Sequence, residues 1–221
     1  MISVAIDGPS GAGKSSLAKR LAKKLSYIYV DTGAMYRTIG LYGLQKGVDL
    51  SSERQVSALL PDINLELKYI DGEQRMFLNG EDVSTLIRTE PVSMAASAVS
   101  AHPCVRQFLL ETQRKLAQVS NVLMDGRDIG TVILPNATVK IFLTASPEAR
   151  AQRRFKELIE KGQEVKYEAV LDDINRRDYN DMNRDIAPLR RAEDALLVDT
   201  SDLDFEQSFT ALYNCITAKI G

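Results

Sequence analysis

The sequence predicts an α/β fold: three α/β/α layers around a five-stranded parallel sheet, with a small inserted antiparallel β-meander and a helical lid. Three observations predict it. Gly8-Pro9-Ser10-Gly11-Ala12-Gly13-Lys14-Ser15 fits the phosphate-loop (P-loop) pattern G-x-x-x-x-G-K-[ST] and stands between a strand-like and a helix-like run. Short apolar runs that close on polar residues alternate with helically spaced segments along most of the chain, which implies a parallel sheet covered on both faces. In one region only, the period drops to two and turn dipeptides appear, which marks antiparallel strands. The expectation is a single domain over residues 1–221.

The elements follow in order. Ile2-Ser3-Val4-Ala5-Ile6 is a short apolar run of buried-strand type. In the loop after it, glycines let the backbone turn its N–H groups toward phosphate oxygens, and the next helix adds its dipole. Lys14 then reaches the β and γ phosphates and the Ser15 hydroxyl ligates Mg²⁺, so Gly8, Pro9, Ser10, Gly11, Ala12, Gly13, Lys14, Ser15 and Ser16 are the expected ATP-binding residues. Leu17, Leu21 and Leu25 repeat at helical spacing, with Ala18 and Ala22 between them. Tyr27-Ile28-Tyr29-Val30 is a second strand ending in Asp31-Thr32-Gly33, followed by a helix through Met35, Ile39 and Leu44.

Ile63, Leu65, Leu67 and Tyr69 alternate with Asn64, Glu66 and Lys68, and Asp71-Gly72 and Asn79-Gly80 flank Met76-Phe77-Leu78 as turns. This meander is assigned to an insertion at about 60–98, longer than an ordinary connection. Asn121-Val122-Leu123-Met124-Asp125, Thr138-Val139-Lys140-Ile141-Phe142-Leu143 and Ala195-Leu196-Leu197-Val198-Asp199 are three more strands, and Phe205, Phe209, Leu212, Ile216 and Ile220 mark the last helix. Ligands of such sheets bind beyond the carboxyl ends of the strands, where the polar residues fall.

Bulk properties fit this frame. Hydrophobic residues make up 44% and charged residues 26%, near the globular average. A net charge of −2 gives no electrostatic case for a nucleic-acid partner. Cys104 and Cys215 stand in no metal-ligand spacing and read as reduced thiols. No apolar stretch approaches membrane-spanning length, and with a strand beginning at Ile2 no leader is expected. The expectation is a monomer in the cytoplasm, without membrane contact.

Arginines carry the next signal: Arg150, Arg153 and Arg154, then Arg176, Arg177 and Arg184. Helical spacing puts the first three on one face and Arg177, Asp181 and Arg184 on another. Each set alone reads as a solvated face; two sets either side of a Gly162-containing turn predict a hinged lid at about 148–167, bringing positive charge over a transferring phosphoryl group. Asp31 with Arg37, and Asp125-Gly126-Arg127-Asp128, lie just past strand ends; a helix cap explains a lone acid there, but less well an arginine beside one. The single histidine, His102, precedes Pro103 and reads as structural. A hydroxyl acceptor needs a base and none is evident, whereas a phosphate monoester is already largely dianionic at neutral pH. A nucleotide acceptor therefore fits best. A kinase of a small hydroxylated metabolite and a nucleotide-dependent switch are the rival readings.

At residues 8–15, Asp31-Thr32-Gly33-Ala34-Met35-Tyr36-Arg37, Asn79-Gly80-Glu81-Asp82-Val83, Ile87-Arg88, Val99-Ser100-Ala101-His102-Pro103-Cys104-Val105-Arg106, Gly126-Arg127-Asp128-Ile129-Gly130 and Arg177-Asp178 through Asp181 to Arg184, the chain resembles the bacterial cytidylate kinases. The resemblance spans nearly the whole chain in one order. It implies Mg²⁺-dependent transfer from ATP to CMP and dCMP on a nucleoside-monophosphate-kinase fold, with a monophosphate-binding part at about 32–110. It also implies that Ser97, Arg106 and Asp128 hold the cytosine, with Thr32 nearby, and that Arg37, Arg127 and Arg177 hold the acceptor phosphate. Asp181 and Arg184 would lie near the sugar and Arg154 in the lid. Lys14, Arg127, Arg154 and Arg177 are the expected catalytic residues, and Asp125 would order a metal-bound water. Asn183 stands where many members carry a hydroxyl residue. Cytosine offers an amino donor at N4 and acceptors at N3 and O2, which a carboxylate and an arginine complement.

Overall fold

The computed structural model describes residues 1–221. Eight strands and eight α-helices follow one another along the chain: β1 Ser3–Asp7, α1 Lys14–Leu25, β2 Ile28–Asp31, α2 Thr32–Lys46, α3 Glu53–Leu59, β3 Leu65–Ile70, β4 Glu73–Leu78, β5 Glu81–Asp82, α4 Glu90–Val99, α5 Pro103–Val119, β6 Val122–Gly126, β7 Val139–Thr144, α6 Pro147–Glu160, α7 Tyr167–Asn183, β8 Leu196–Asp199 and α8 Phe205–Ile220. The large sheet is five-stranded and parallel, in the order β2-β6-β1-β7-β8. Most of its strands run one residue further than their apolar runs suggest. Asp7 pairs with Gly126, and Ile6 with Asp125, so the acids at the strand ends still belong to the ladder. A carboxylate is tolerated there because only its side chain, not its backbone, has to leave the sheet.

By internal packing the chain divides into two units, Met1–Tyr29 with Val119–Gly221, and Val30–Gln118. In the first, Val4, Ile6, Leu123, Ile141 and Leu143 of the sheet pack with Leu17, Leu21, Leu212 and Ile216 of α1 and α8. This is the apolar face that the leucine and alanine spacing of α1 predicts. Arg20 fastens the two helices from outside, pairing with Glu206 while its guanidinium lies over Phe209 at 4.3 Å. Chain order reverses around β1, since β6 lies on one side and β7 on the other, and the crevice beyond such a switch is where ligands bind. Helices α6 and α7 form a hairpin around Ala151, Val170 and Ile174, with Phe155 edge-on to Tyr167 at 6.1 Å. Its turn uses Gly162 at φ 74.

In the second unit, β3, β4 and β5 form the antiparallel sheet, in register Leu65↔Leu78 and Phe77↔Asp82. The strands end at Asp82; a short 3₁₀ turn, Leu86–Arg88, and α4 fill the rest of the stretch read as meander. His102 lies buried just before α5, its Nε2 2.8 Å from the Leu50 carbonyl, the structural role expected of it. No helix is long and apolar enough to cross a membrane.

Candidate active site

The phosphate loop leaves β1 through Gly8 at φ 153, where an added Cβ would lie 1.9 Å from the Leu143 carbonyl oxygen. Only glycine fits that approach. Gly13, at φ 81, ends the loop as the N-cap of α1, so the helix presents unpaired N–H groups to the loop. Lys14, buried, donates from Nζ to the Pro9 carbonyl at 2.7 Å. Burial, and then the nearby Arg127 guanidinium, lower its pKa from 10.5 to about 7. Ser15 donates from Oγ to Asp125 Oδ2 at 2.9 Å, joining the start of α1 to the end of β6. A pocket of about 330 Å³ opens beside the loop, lined among others by Pro9, Thr144, Ser146, Arg150, Asp199 and Ser201.

Beyond β6 the chain makes a wide π-helical turn, Ile129–Ile133, that periodicity does not foretell. Asp7 holds it. Its two carboxylate oxygens accept from the Ile129 and Gly130 amides, each at 2.7 Å. Burial pushes Asp7 up to about 6. Gly130 packs so closely that an added Cβ would lie 3.2 Å from Lys140 and 3.4 Å from Asp7. Asp7 directs the backbone immediately after Asp128, yet its sequence signal was only that of a strand-end acid.

Around that turn the structure gathers the acids and arginines of the first unit. Arg127 donates from Nε to Asp181 Oδ2 at 2.7 Å. Arg184 lies 3.7 Å from Asp128 and 3.9 Å from Asp181, and binds the Ala187 carbonyl through Nε and Nη2. Helix α7 stops at Asn183, so Arg184 is extended rather than helical; it reaches Asp181 from past the helix end, not along a helix face. Arg177 pairs with Asp173 at 2.8 Å, and Arg154 with Glu157 at 2.9 Å.

The first arginine set divides. Arg150 is buried in a fixed network, Arg153, half-buried, donates to the Thr200 carbonyl, and Arg154, also half-buried, pairs with Glu157 on its own helix. Helical spacing places residues on one face, but tertiary partners decide which remain available.

In the second unit, Asp31 caps α2, accepting from the Ala34 amide at 2.9 Å. The same buried carboxylate takes Arg37 at 2.7 Å and Arg88 at 3.3 Å. Gln74, from the middle strand of the small sheet, accepts from the Asp31 amide through Oε1 at 2.8 Å. Thr32 is buried beside this cap. Ser97, on α4, is half-buried. Arg106, buried on α5, donates to the Ser100 carbonyl at 3.1 Å and lies 5.7 Å from the Tyr36 ring centre. Arg88 and Gln74 escaped the reading of single residues because their partner is remote in sequence.

The family model described as cytidylate kinase matches residues 4–218. The chain belongs to the cytidylate kinase family. A cytidylate kinase of Caldicellulosiruptor saccharolyticus is 52% identical over 220 residues, covering 100% of this chain and 97% of that protein. The cytidylate kinase of Bacillus subtilis is 46% identical over 218 residues, covering 99% and 97%. The enzyme is thus a nucleoside monophosphate kinase, as the motifs past the strand ends imply.

Proposed function

We propose that this kinase transfers the γ-phosphoryl group of ATP directly to CMP and dCMP, giving ADP with CDP or dCDP. The observation that carries the reading is the cytidylate kinase pattern over residues 4–218, on a chain whose Ser15 and Asp125 meet at 2.9 Å beside the phosphate loop. Lys14 and the loop amides take the phosphate oxygens of the donor, and Arg127, Arg154 and Arg177 neutralise the charge in flight. A hydroxyl and a carboxylate oxygen suit Mg²⁺, which binds through few protein oxygens, water and nucleotide phosphates. Ser15 would hold it directly and Asp125 through water; it supplies positive charge against the β and γ phosphates.

Arg37, Arg127 and Arg177 are the proposed partners of the acceptor phosphate, with Asp181 and Arg184 at the sugar, Ser97, Arg106 and Asp128 at the base, and Thr32 as a further CMP contact. Residues at about 32–110, within the unit Val30–Gln118, are the proposed monophosphate-binding part, and about 148–167, α6 with the turn after it, the lid. A cytoplasmic monomer is the proposed form. Cytosine N4–H donates to the Asp128 carboxylate, while Arg106 donates to N3 and O2. Uracil turns its O4 lone pairs toward the carboxylate instead.

The first test is ADP formation with and without CMP: production that depends on CMP is expected, and acceptor-independent hydrolysis would overturn the reading. The second compares kcat/KM for CMP and UMP in wild type and Asp128→Ala. Loss of a charged hydrogen bond should lower the CMP value by about 10- to 100-fold and the UMP value much less. An unchanged CMP/UMP ratio would move base recognition away from Asp128.

A further inference from the structure

Arg150 is 3% exposed, and every nitrogen of its guanidinium has a partner. Nε donates to the Ala145 carbonyl at 2.8 Å, at the end of β7. Nη1 donates to the Ser10 carbonyl at 3.0 Å, inside the phosphate loop. Nη1 and Nη2 together grip Asp178 of α7, at 3.1 and 2.6 Å. The loop rests directly on this strut: a Cβ added at Gly11 would lie 3.3 Å from the Arg150 Cβ and 3.6 Å from Ile174 of α7. One helical turn after Asp178, Asp181 holds Arg127 at 2.7 Å. A continuous set of contacts therefore runs from the Ser10 carbonyl through Arg150 and Asp178 along α7 to Asp181 and Arg127.

Such a fixed, bidentate buried arginine is unsuited to sweeping over a phosphoryl group, the task that its place among the lid arginines suggests. We infer that Arg150 is a positioning residue that couples the two substrates: its bond to Ser10 ties α7, and with it Arg127, to the conformation the phosphate loop takes around the donor. A planar fork is needed to serve three elements at once, and a lysine has no such geometry. Closing the loop amides on phosphate selects one orientation of the Ser10 carbonyl. That orientation favours one seat for α7, so the donor should pre-organise acceptor-binding groups, and the acceptor the donor loop, by the same factor. The inference rests on the kinase reading above.

The test is CMP affinity measured by calorimetry, with and without a non-hydrolysable ATP analogue and Mg²⁺, in wild type, Arg150→Lys and Asp178→Asn. The analogue should tighten CMP binding by about 5-fold or more in wild type, the low end of measured couplings. In either variant that enhancement should fall toward one, with CMP affinity in the absence of analogue changing less than about 2-fold. Removing one member of a buried pair can unfold a protein, so Arg150→Met/Asp178→Leu is included; replacing both charges by apolar groups is commonly tolerated. A purely structural strut would lower the melting temperature and leave the enhancement intact in whichever variants fold. That result, or a wild type that phosphorylates CMP without any enhancement, would overturn the coupling role alone. A wild type that fails to phosphorylate CMP would instead overturn the reading beneath it.

Discussion

The phosphate loop and the Asp31 cap are both places where a helix begins beside a concentration of charge, yet they are assembled in opposite ways. At the loop, the working groups are backbone amides between Gly8 and Ser15, and the one buried cation, Lys14, hydrogen-bonds five residues back to Pro9. At the cap, the backbone supplies one amide, and the rest comes from afar: Gln74 lies 43 residues on, and Arg88 approaches from the turn after the small sheet. The electrostatics differ too. Lys14 is buried with its charge disfavoured, its pKa lowered to about 7. Arg37 and Arg88 sit on a buried carboxylate that offsets their charge. A site for a polyanion can hold a buried cation whose charge the neighbouring acids Asp125, Asp181 and Asp7 only partly offset, because the ligand itself restores the balance. A cap that must hold two arginines in place needs an acid of its own.

The strongest way to break this comparison is Lys14→Met. Removing a charge poised on the transferring group should lower kcat by about 10²- to 10³-fold. The comparison adds an opposite effect on stability. A lysine whose pKa is lowered on folding carries a cost that is fully present below about pH 7 and disappears as pH rises toward 10.5. The variant should therefore melt at a higher temperature than wild type at neutral pH, and activity and thermal melting measured together check both halves. A lower melting temperature with activity near normal would mean that Lys14 is a structural cation.

Gln74→Ala probes the other region, with a smaller effect. Loss of the acceptor for the Asp31 amide should cost about 0.5–1.5 kcal/mol, a few-fold in affinity, and should act only through the cap. Steady-state kinetics should show KM for CMP raised a few-fold, with KM for ATP unchanged. Equal movement of both KM values would mean that the small sheet supports the whole chain rather than the acceptor turn.

The same contrast explains what the sequence disclosed. Loop, strands and leucine-lined helices are legible because their signals are local: φ-tolerant glycines, period-two or helical spacing, and acids at strand ends. The three-stranded meander is legible through its Asp71-Gly72 and Asn79-Gly80 turns. Its downstream limit is not, since the apolar spacing of residues 86–99 suits strand and helix alike until Pro91, near the start of α4, is weighed as a helix signal. Ser15 and Asp125 were each marked as metal-site residues, but their contact spans 110 residues and only the sheet register reveals it. Arg150 shows the limit most clearly. Sequence assigns it to a charged helix face; only the fold supplies Asp178, 28 residues away, and turns a candidate phosphate ligand into a strut.

The smallest expected effect is also the one that belongs to the loop alone. With Lys14 near pKa 7, about half of the free enzyme carries its proton at neutral pH. A bound triphosphate favours the charged ammonium and must raise that pKa. Binding of ATP therefore takes up protons: little at acidic pH, where Lys14 is already charged, and more as pH rises past about 7. Asp7, pushed up to about 6, adds uptake that fades as pH climbs above its own value, so the difference between wild type and Lys14→Met near pH 8 isolates the lysine. Calorimetric titration with MgATP in buffers of different ionisation enthalpy reads this directly, as a binding enthalpy that changes with the buffer. By linkage, ATP affinity should weaken as pH rises above 7, and Lys14→Met should lose both the buffer dependence and that slope. Buffer-independent ATP enthalpy at pH 8 would mean that Lys14 keeps its proton in the free loop, and the contrast between a partly and a fully offset cation would collapse.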